Sequence, residues 1–158
     1  MIEEVPADQA PEWFKKAVGE RPPWMVPGQL SVTLLEPKSV DAIAVVGESF
    51  YQEALWYIVR KQFARGDRVH HDCVALILAE DDNPNDKNAI SVWIDALKVG
   101  YFNRQDALDF RASLLSARAR HGHEIGLRAS IIGGGIRDGQ SHNLGVWMYY
   151  DPEEMPRP

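Results

Sequence analysis

The stretch that most constrains this chain's fold is Asp82-Asn83-Pro84-Asn85-Asp86-Lys87-Asn88, set between two apolar runs. Asn and Asp side chains bond their own backbone and Pro84 fixes its φ, so the segment reads as a rigid, ordered turn. Val74-Ala75-Leu76-Ile77-Leu78 precedes it and Ala89-Ile90-Ser91-Val92-Trp93-Ile94 follows; both read as strands. A stiff polar turn between two strands projects carboxylate and amide groups from a fixed scaffold, as a recognition site requires.

Apolar periodicity orders the rest. Ile43-Ala44-Val45-Val46 is a strand ended by Gly47, and a helix is expected over 50–64. Its stripe runs through Tyr51, Leu55, Ile58, Val59 and Phe63, interrupted by Gln62. Ser49, with Gln52 three residues on, reads as a capping box, and Gly66 stops the helix. Strands follow over 69–79, 91–94 and 98–101. Asn103 then caps a second helix with Asp106 at its third position; this helix is expected to bury Ala107, Leu108, Leu114 and Leu115 and to end near Gly122. Residues 125–132 and 144–150 complete the strands, and the glycine-rich 133–142 between them reads as a mobile loop.

The first 30 residues differ. They hold Pro6, Pro11, Pro22, Pro23 and Pro27 and several acids, and form a Pro-rich acidic extension ahead of a domain over 31–151 and a short tail over 152–158. Trp13 to Val18 reads as one or two helical turns, and 22–27 as extended chain. Helices this short are marginal alone in water, so Trp13, Phe14 and Trp24 either dock on the domain or meet a protein partner. Residues 30–35 alternate enough to add a strand.

With 45% hydrophobic and 25% charged residues, the 158-residue chain has the make-up of a small globular domain. No apolar run approaches the roughly 20 residues of a membrane helix. The acidic Met1-Ile2-Glu3-Glu4 start and the lone Cys73 favour a cytoplasmic location without disulfides. Net charge is −6, which weighs against a broad phosphate-binding surface but leaves room for a small pocket gripping one strand end. Local cations stand at Arg60, Lys61, Arg65 and Arg68, and at Arg111, Arg118 and Arg120; runs of this kind are usually solvated faces.

Catalytic and metal patterns are incomplete. Gly47-Glu48-Ser49-Phe50-Tyr51 begins like a nucleophile elbow but has Tyr51 where the last glycine belongs. His70, His71, Asp72 and Cys73, with His121 and His123, lack a convincing second ligand pair for zinc. The polar turn lacks a calcium loop's sixth-place glycine and twelfth-place glutamate, and Gly133-Gly134-Gly135 has no phosphate-loop lysine after it. A non-catalytic protein without cofactor or metal is expected.

Three segments in order carry a family resemblance: Val45-Val46-Gly47 followed by Phe50-Tyr51, the Asn83-Pro84-Asn85-Asp86-Lys87-Asn88-Ala89-Ile90 turn, and Val99-Gly100-Tyr101-Phe102-Asn103-Arg104. With the closing Leu144 to Tyr150, they resemble the HIRAN domain family over roughly residues 42–151. Strand number and hairpin order suggest a mainly β, α+β fold. The resemblance implies a small HIRAN/OB-like β-barrel with two covering helices. It also implies a pocket for the 3′ end of single-stranded DNA, in a repair or replication-fork setting. There Phe50 and Tyr51 would stack on bases, Asp86 with Asn83 would bond the terminal sugar hydroxyl, Tyr101 would line the pocket and Arg104 would face phosphate.

The chain departs from the pattern at two pocket positions: Ser49 stands where DNA-binding members carry a cation, and Asn85 where they carry an aromatic ring. Glu48 beside them repels phosphate. Phe50 and Tyr51 also fit a core role, and Asp86 a turn role, bonding the Asn88 and Ala89 amides. Two functions follow: a nucleic-acid-binding module, or a protein-interaction and regulatory module whose DNA pocket has degenerated.

Overall fold

The strand expected before the polar turn is the spine of the sheet. The computed structural model describes residues 32–156, so the helical turns and extended segment expected over 13–27, with Trp13, Phe14 and Trp24, lie outside the described residues. In chain order come β1 (Val32–Leu35), β2 (Asp41–Ala44), a 3₁₀ turn (Glu48–Tyr51), α1 (Gln52–Val59), β3 (Arg68–Ala79), β4 (Ile90–Ile94) and β5 (Leu97–Tyr101). After these come α2 (Arg104–His121), β6 (Glu124–Gly134), β7 (Ile136–Arg137), β8 (Gln140–Ser141) and β9 (Leu144–Tyr150). The domain is mainly β with two helices.

The sheet runs β2-β9-β6-β3-β4-β5, and β1 joins it parallel to the start of β6. The first half of β3 alternates in exposure, while Ala75 to Leu78 is continuously buried. Ala75 and Ile77 enter the main core; Leu76 and Leu78 pack with Trp93 in a second cluster against Val32. The expected barrel is not closed by ladders: the path is open from β2 to β5. One isolated bridge spans the gap, with Val46 N–H donating to Tyr101 O at 2.8 Å and Tyr101 N–H to Val46 O at 2.9 Å. Pairing stops there because Gly47 adopts a left-handed φ of 77° and turns the chain into the 3₁₀ turn. The partner strand is equally tight, since a Cβ on Gly100 would lie 2.6 Å from the Val46 carbonyl oxygen.

That left-handed glycine corrects the first helix. Gly47, and not Ser49, occupies the N-cap, and Ser49 lies inside the 3₁₀ turn. Gln52 makes no capping box. Its Nε2 donates to Glu48 O and Leu144 O at 3.0 and 2.8 Å, and its Oε1 accepts from the Leu144 amide at 2.8 Å, fastening α1 to β9. The α-helix stops at Val59, short of the expected 64, and buries Ala54, Leu55, Trp56, Ile58 and Val59.

The second helix starts and ends where its caps predict. Asn103 Oδ1 accepts from the Asp106 amide at 2.7 Å, and left-handed Gly122 closes it. Its buried face is Ala107, Phe110, Leu114 and Ala117, whereas Leu108 is 56% exposed. Phe110 is the anchor: its ring meets Phe102 and Tyr150 edge-on at 6.0 and 4.9 Å. The segment expected as a mobile loop holds the β7–β8 hairpin, tied by Gly135 N–H to Asp67 O at 2.8 Å. After β9 the chain folds back, and Met155 is buried. No helix among the described residues is long and apolar enough to cross a membrane.

Candidate nucleic-acid interface

The polar turn is bonded to itself. Asn83 Oδ1 accepts from the amides of Asn85 and Asp86 at 2.9 and 3.1 Å. Asp86 Oδ1 accepts from the Asn88 amide at 2.9 Å, while the Ala89 amide goes to the Asp86 main-chain carbonyl at 3.2 Å. Each short side chain thus satisfies the backbone that follows it, which is why the turn holds its shape. Arg111 on α2 pairs with Asp81 and moors its near end.

Two residues not singled out by the sequence tie this turn to the sheet. Asn83 Nδ2 donates to Glu80 Oε1 at 3.0 Å, Glu80 Oε2 lies 3.1 Å from Lys98 Nζ, and Lys98 Nζ donates to the Tyr101 hydroxyl at 2.9 Å. The Lys98 ammonium also sits 5.2 and 4.9 Å from the ring centroids of Trp93 and Tyr101. Burial alone would push Lys98 down. The Tyr101 hydroxyl and the Glu80 carboxylate together outweigh it and hold its pKa above the usual lysine value. A lysine flanked by Leu97 and Val99 on a buried strand was the available signal; such a residue needs a partner.

The Val46–Tyr101 bridge carries the connection on to the 3₁₀ turn. Asn83, Glu80, Lys98, Tyr101 and the turn after Val46 therefore form one bonded series across the open end of the sheet. On that turn Phe50 is 86% exposed, Ser49 is exposed and Tyr51 is half-buried. The Phe50 amide bonds Gly47 O at 3.0 Å, so the ring stands out from a pinned backbone. Glu48 Oε2 is buried without a hydrogen-bond partner among the described residues. A buried polar atom left so costs about 1–3 kcal/mol until a donor reaches it. Arg104, three residues past Tyr101, is exposed and makes no hydrogen bond or ion pair with a described residue. Asn85 is exposed on the polar turn, and Asp86 half-buried.

The histidine-rich strand is organised differently. His70 Nε2 is 3.1 Å from Asp72 Oδ1, which also accepts from Ser130 at 2.7 Å, and His71 Nδ1 is 3.3 Å from Gln62 Oε1. Burial, and after it the charges of Asp95 and Asp72, push the Cys73 thiol up to about 12. No group of three or more His, Cys, Asp and Glu among the described residues is placed to hold a metal ion.

No protein-family model matches the chain, and no curated protein matches it. Among solved structures it is similar to the crystal structure of a protein from Lactobacillus plantarum, at 25% identity and a TM-score of 0.33, over 70% of this chain and 98% of that one. It is also similar to the crystal structure of the HIRAN domain of human HLTF, at 16% identity and a TM-score of 0.32, over 73% of this chain and 79% of that one.

Proposed function

We propose that this domain is a non-catalytic module that binds nucleic acid and takes the 3′ end of a single DNA strand at the open end of its sheet, in a repair or replication-fork setting. The observation that carries the reading is Phe50, an aromatic ring 86% exposed on a backbone pinned to both β5 and β9. A ring held so gains little for the fold and offers a whole face to a base. The three motif segments resembling the HIRAN family lie on the bonded series that ends at this ring, and Arg104 supplies a cation not already paired with a described residue.

Roles follow from what each side chain has left to offer. Phe50 stacks, with half-buried Tyr51 beneath it. Asp86 Oδ2, unlike Oδ1, is bonded to no described residue and accepts the terminal sugar hydroxyl. Asn83, its polar atoms already engaged, sets the position of Asp86. The Tyr101 hydroxyl accepts from Lys98 and keeps its own proton for the ligand. Ser49 and Asn85 supply neither the cation nor the ring of the family pattern, so modest affinity is expected.

The test is fluorescence anisotropy at low salt with a labelled single strand ending in either a 3′-hydroxyl or a 3′-phosphate. Binding lost with the phosphate, and lost again in Asp86→Ala, supports end recognition. Equal binding of both ends removes the 3′-end assignment. No binding to either favours the protein-interaction reading, for which the net charge of −6 speaks; deleting residues 1–30 then abolishes partner capture.

A further inference from the structure

Beyond the C-terminal end of α1 lies a second feature that the proposed site does not use. A cavity of about 430 Å³ is lined by Glu53, Trp56, Tyr57, Arg60, Phe63 and Arg65. Three aromatic side chains and two guanidinium groups converge there. The Arg60 guanidinium lies 3.8 Å from the Tyr57 ring centroid, held by its Nη1 donating to Tyr57 O at 2.8 Å. Arg65 stands 5.9 Å from the Trp56 ring centroid and pairs with Glu53.

Its surroundings are the reverse of the chain as a whole. Against a net charge of −6, the segment 60–68 carries Arg60, Lys61, Arg65 and Arg68 with the single acid Asp67, and all four cations are exposed. The segment is also rigid: Asp67 Oδ2 accepts from the Ala64 amide at 2.8 Å, and Asp67 N–H donates to Ala64 O at 3.0 Å. Exposed cations around a ring-lined cavity are what single-stranded nucleic acid needs, a charge for each phosphate and a flat face for each base. The volume lies within the range of small-ligand sites.

Position joins the cavity to Phe50. Phe50, Glu53, Tyr57 and Arg60 recur at intervals of three, four and three, so they follow one side of the helical segment. At about 1.5 Å per residue, Tyr57 stands about 10 Å along the axis from Phe50. Glu53, which lies between them and would repel phosphate, is held in its ion pair by Arg65.

From these observations, and resting on the nucleic-acid reading above, we propose that the Trp56–Tyr57–Arg60–Arg65 cavity is a second nucleotide subsite. It receives a base and phosphate of the same single strand whose end lies at Phe50. The first site grips the end, and the second lengthens the footprint along α1.

The experiment titrates the full chain with a trinucleotide and an octanucleotide across a salt series, for the unsubstituted protein and for Arg60→Gln/Arg65→Gln. Both arginines are exposed, so folding is preserved, and circular dichroism checks it. The proposal expects the octanucleotide to bind at least about tenfold tighter than the trinucleotide. The double variant should lose that gain and flatten the octanucleotide's log–log salt slope by about 1.4, at about 0.7 per lost phosphate contact. Trinucleotide binding should stay unchanged. A variant that binds the octanucleotide as tightly as the original overturns the second subsite and leaves the end site standing. Octanucleotide binding that depends on the two arginines, with no measurable trinucleotide binding, removes the end site and keeps this one. If neither oligonucleotide binds the unsubstituted protein, both fall.

Discussion

Lys98 and Glu80 form an ion pair, at 3.1 Å, in which the side chains keep only 9% and 19% of their exposure. They sit two strands apart, at the end of β5 and just past the end of β3, with β4 between them. The pair does more than neutralise two charges. Glu80 also holds Asn83 and Lys98 also holds Tyr101, so one contact fixes both the polar turn and the ring beside the Val46 bridge. Any ligand site at this end of the sheet inherits its geometry from that pair.

Lys98→Met should therefore destabilise the fold by about 3 kcal/mol, because it leaves the Glu80 carboxylate half-buried without its counter-charge. Adding Glu80→Gln should recover most of the loss by removing the orphaned charge. Urea denaturation of the two variants measures both. The pH dependence has a definite sign. The folded-state pKa of Lys98 is raised above the model value of 10.5, so its contribution is complete below that pH and is lost as pH rises through the folded value. The gap between the original protein and Lys98→Met should narrow only in strong alkali. A constant gap from pH 7 to 12 would show that the ammonium charge contributes nothing.

Gly100→Ala tests the bridge that spans the open sheet. With φ at 154°, its added Cβ would meet Val45 Cγ1 at 2.4 Å and the Val46 carbonyl oxygen at 2.6 Å. The side chain can rotate but the carbonyl cannot, so the Val46–Tyr101 hydrogen bonds must give way. A loss of about 2–3 kcal/mol is expected, from the clash and two hydrogen bonds together. Hydrogen exchange should show the Val46 and Tyr101 amides losing protection first. Retained protection at both amides, with unchanged stability, would mean the bridge is not a fixed feature of the fold.

Much of this was legible in the chain because local chemistry wrote it. The Asn and Asp side chains of the polar turn bond backbone two or three residues away, and Asn103 and Gly122 mark the ends of α2 by their own conformations. Features set by distant partners were not. Lys98 and Glu80 meet only through the β3–β4–β5 arrangement, and sheet closure depends on how far the Val46 edge reaches Tyr101. Two errors were matters of phase. Placing Leu108 on the buried face in place of Phe110 misjudged which side of α2 meets Tyr150. Taking Ser49 as the cap missed that left-handed Gly47 starts the turn two residues earlier.

Cys73 should be unreactive in the folded protein. With its thiol pushed up to about 12, the thiolate fraction at pH 8 falls about a thousandfold below that of a free thiol of pKa 9.0. Ellman's reagent should react slowly in buffer and at once in denaturant. Rapid native labelling would contradict the burial of this side chain and reopen a redox or ligand role for it.

Phe50→Ala and Arg104→Gln separate a ligand contact from a structural one most cleanly, because neither side chain supports the fold. Phe50 is 86% exposed, so its removal should shift stability by no more than about 0.5 kcal/mol. Its removal from a stacked base should weaken single-strand binding by about 1–3 kcal/mol, with little change in salt slope, since stacking releases no counterion. Arg104→Gln should do the converse, lowering the log–log salt slope by about 0.7 while leaving the preference for a free 3′-hydroxyl intact. Anisotropy titrations at several salt concentrations read both quantities from one set of curves. If Phe50→Ala binds as tightly as the original, the exposed ring is not a stacking surface. If Arg104→Gln leaves the slope untouched, its guanidinium faces no phosphate.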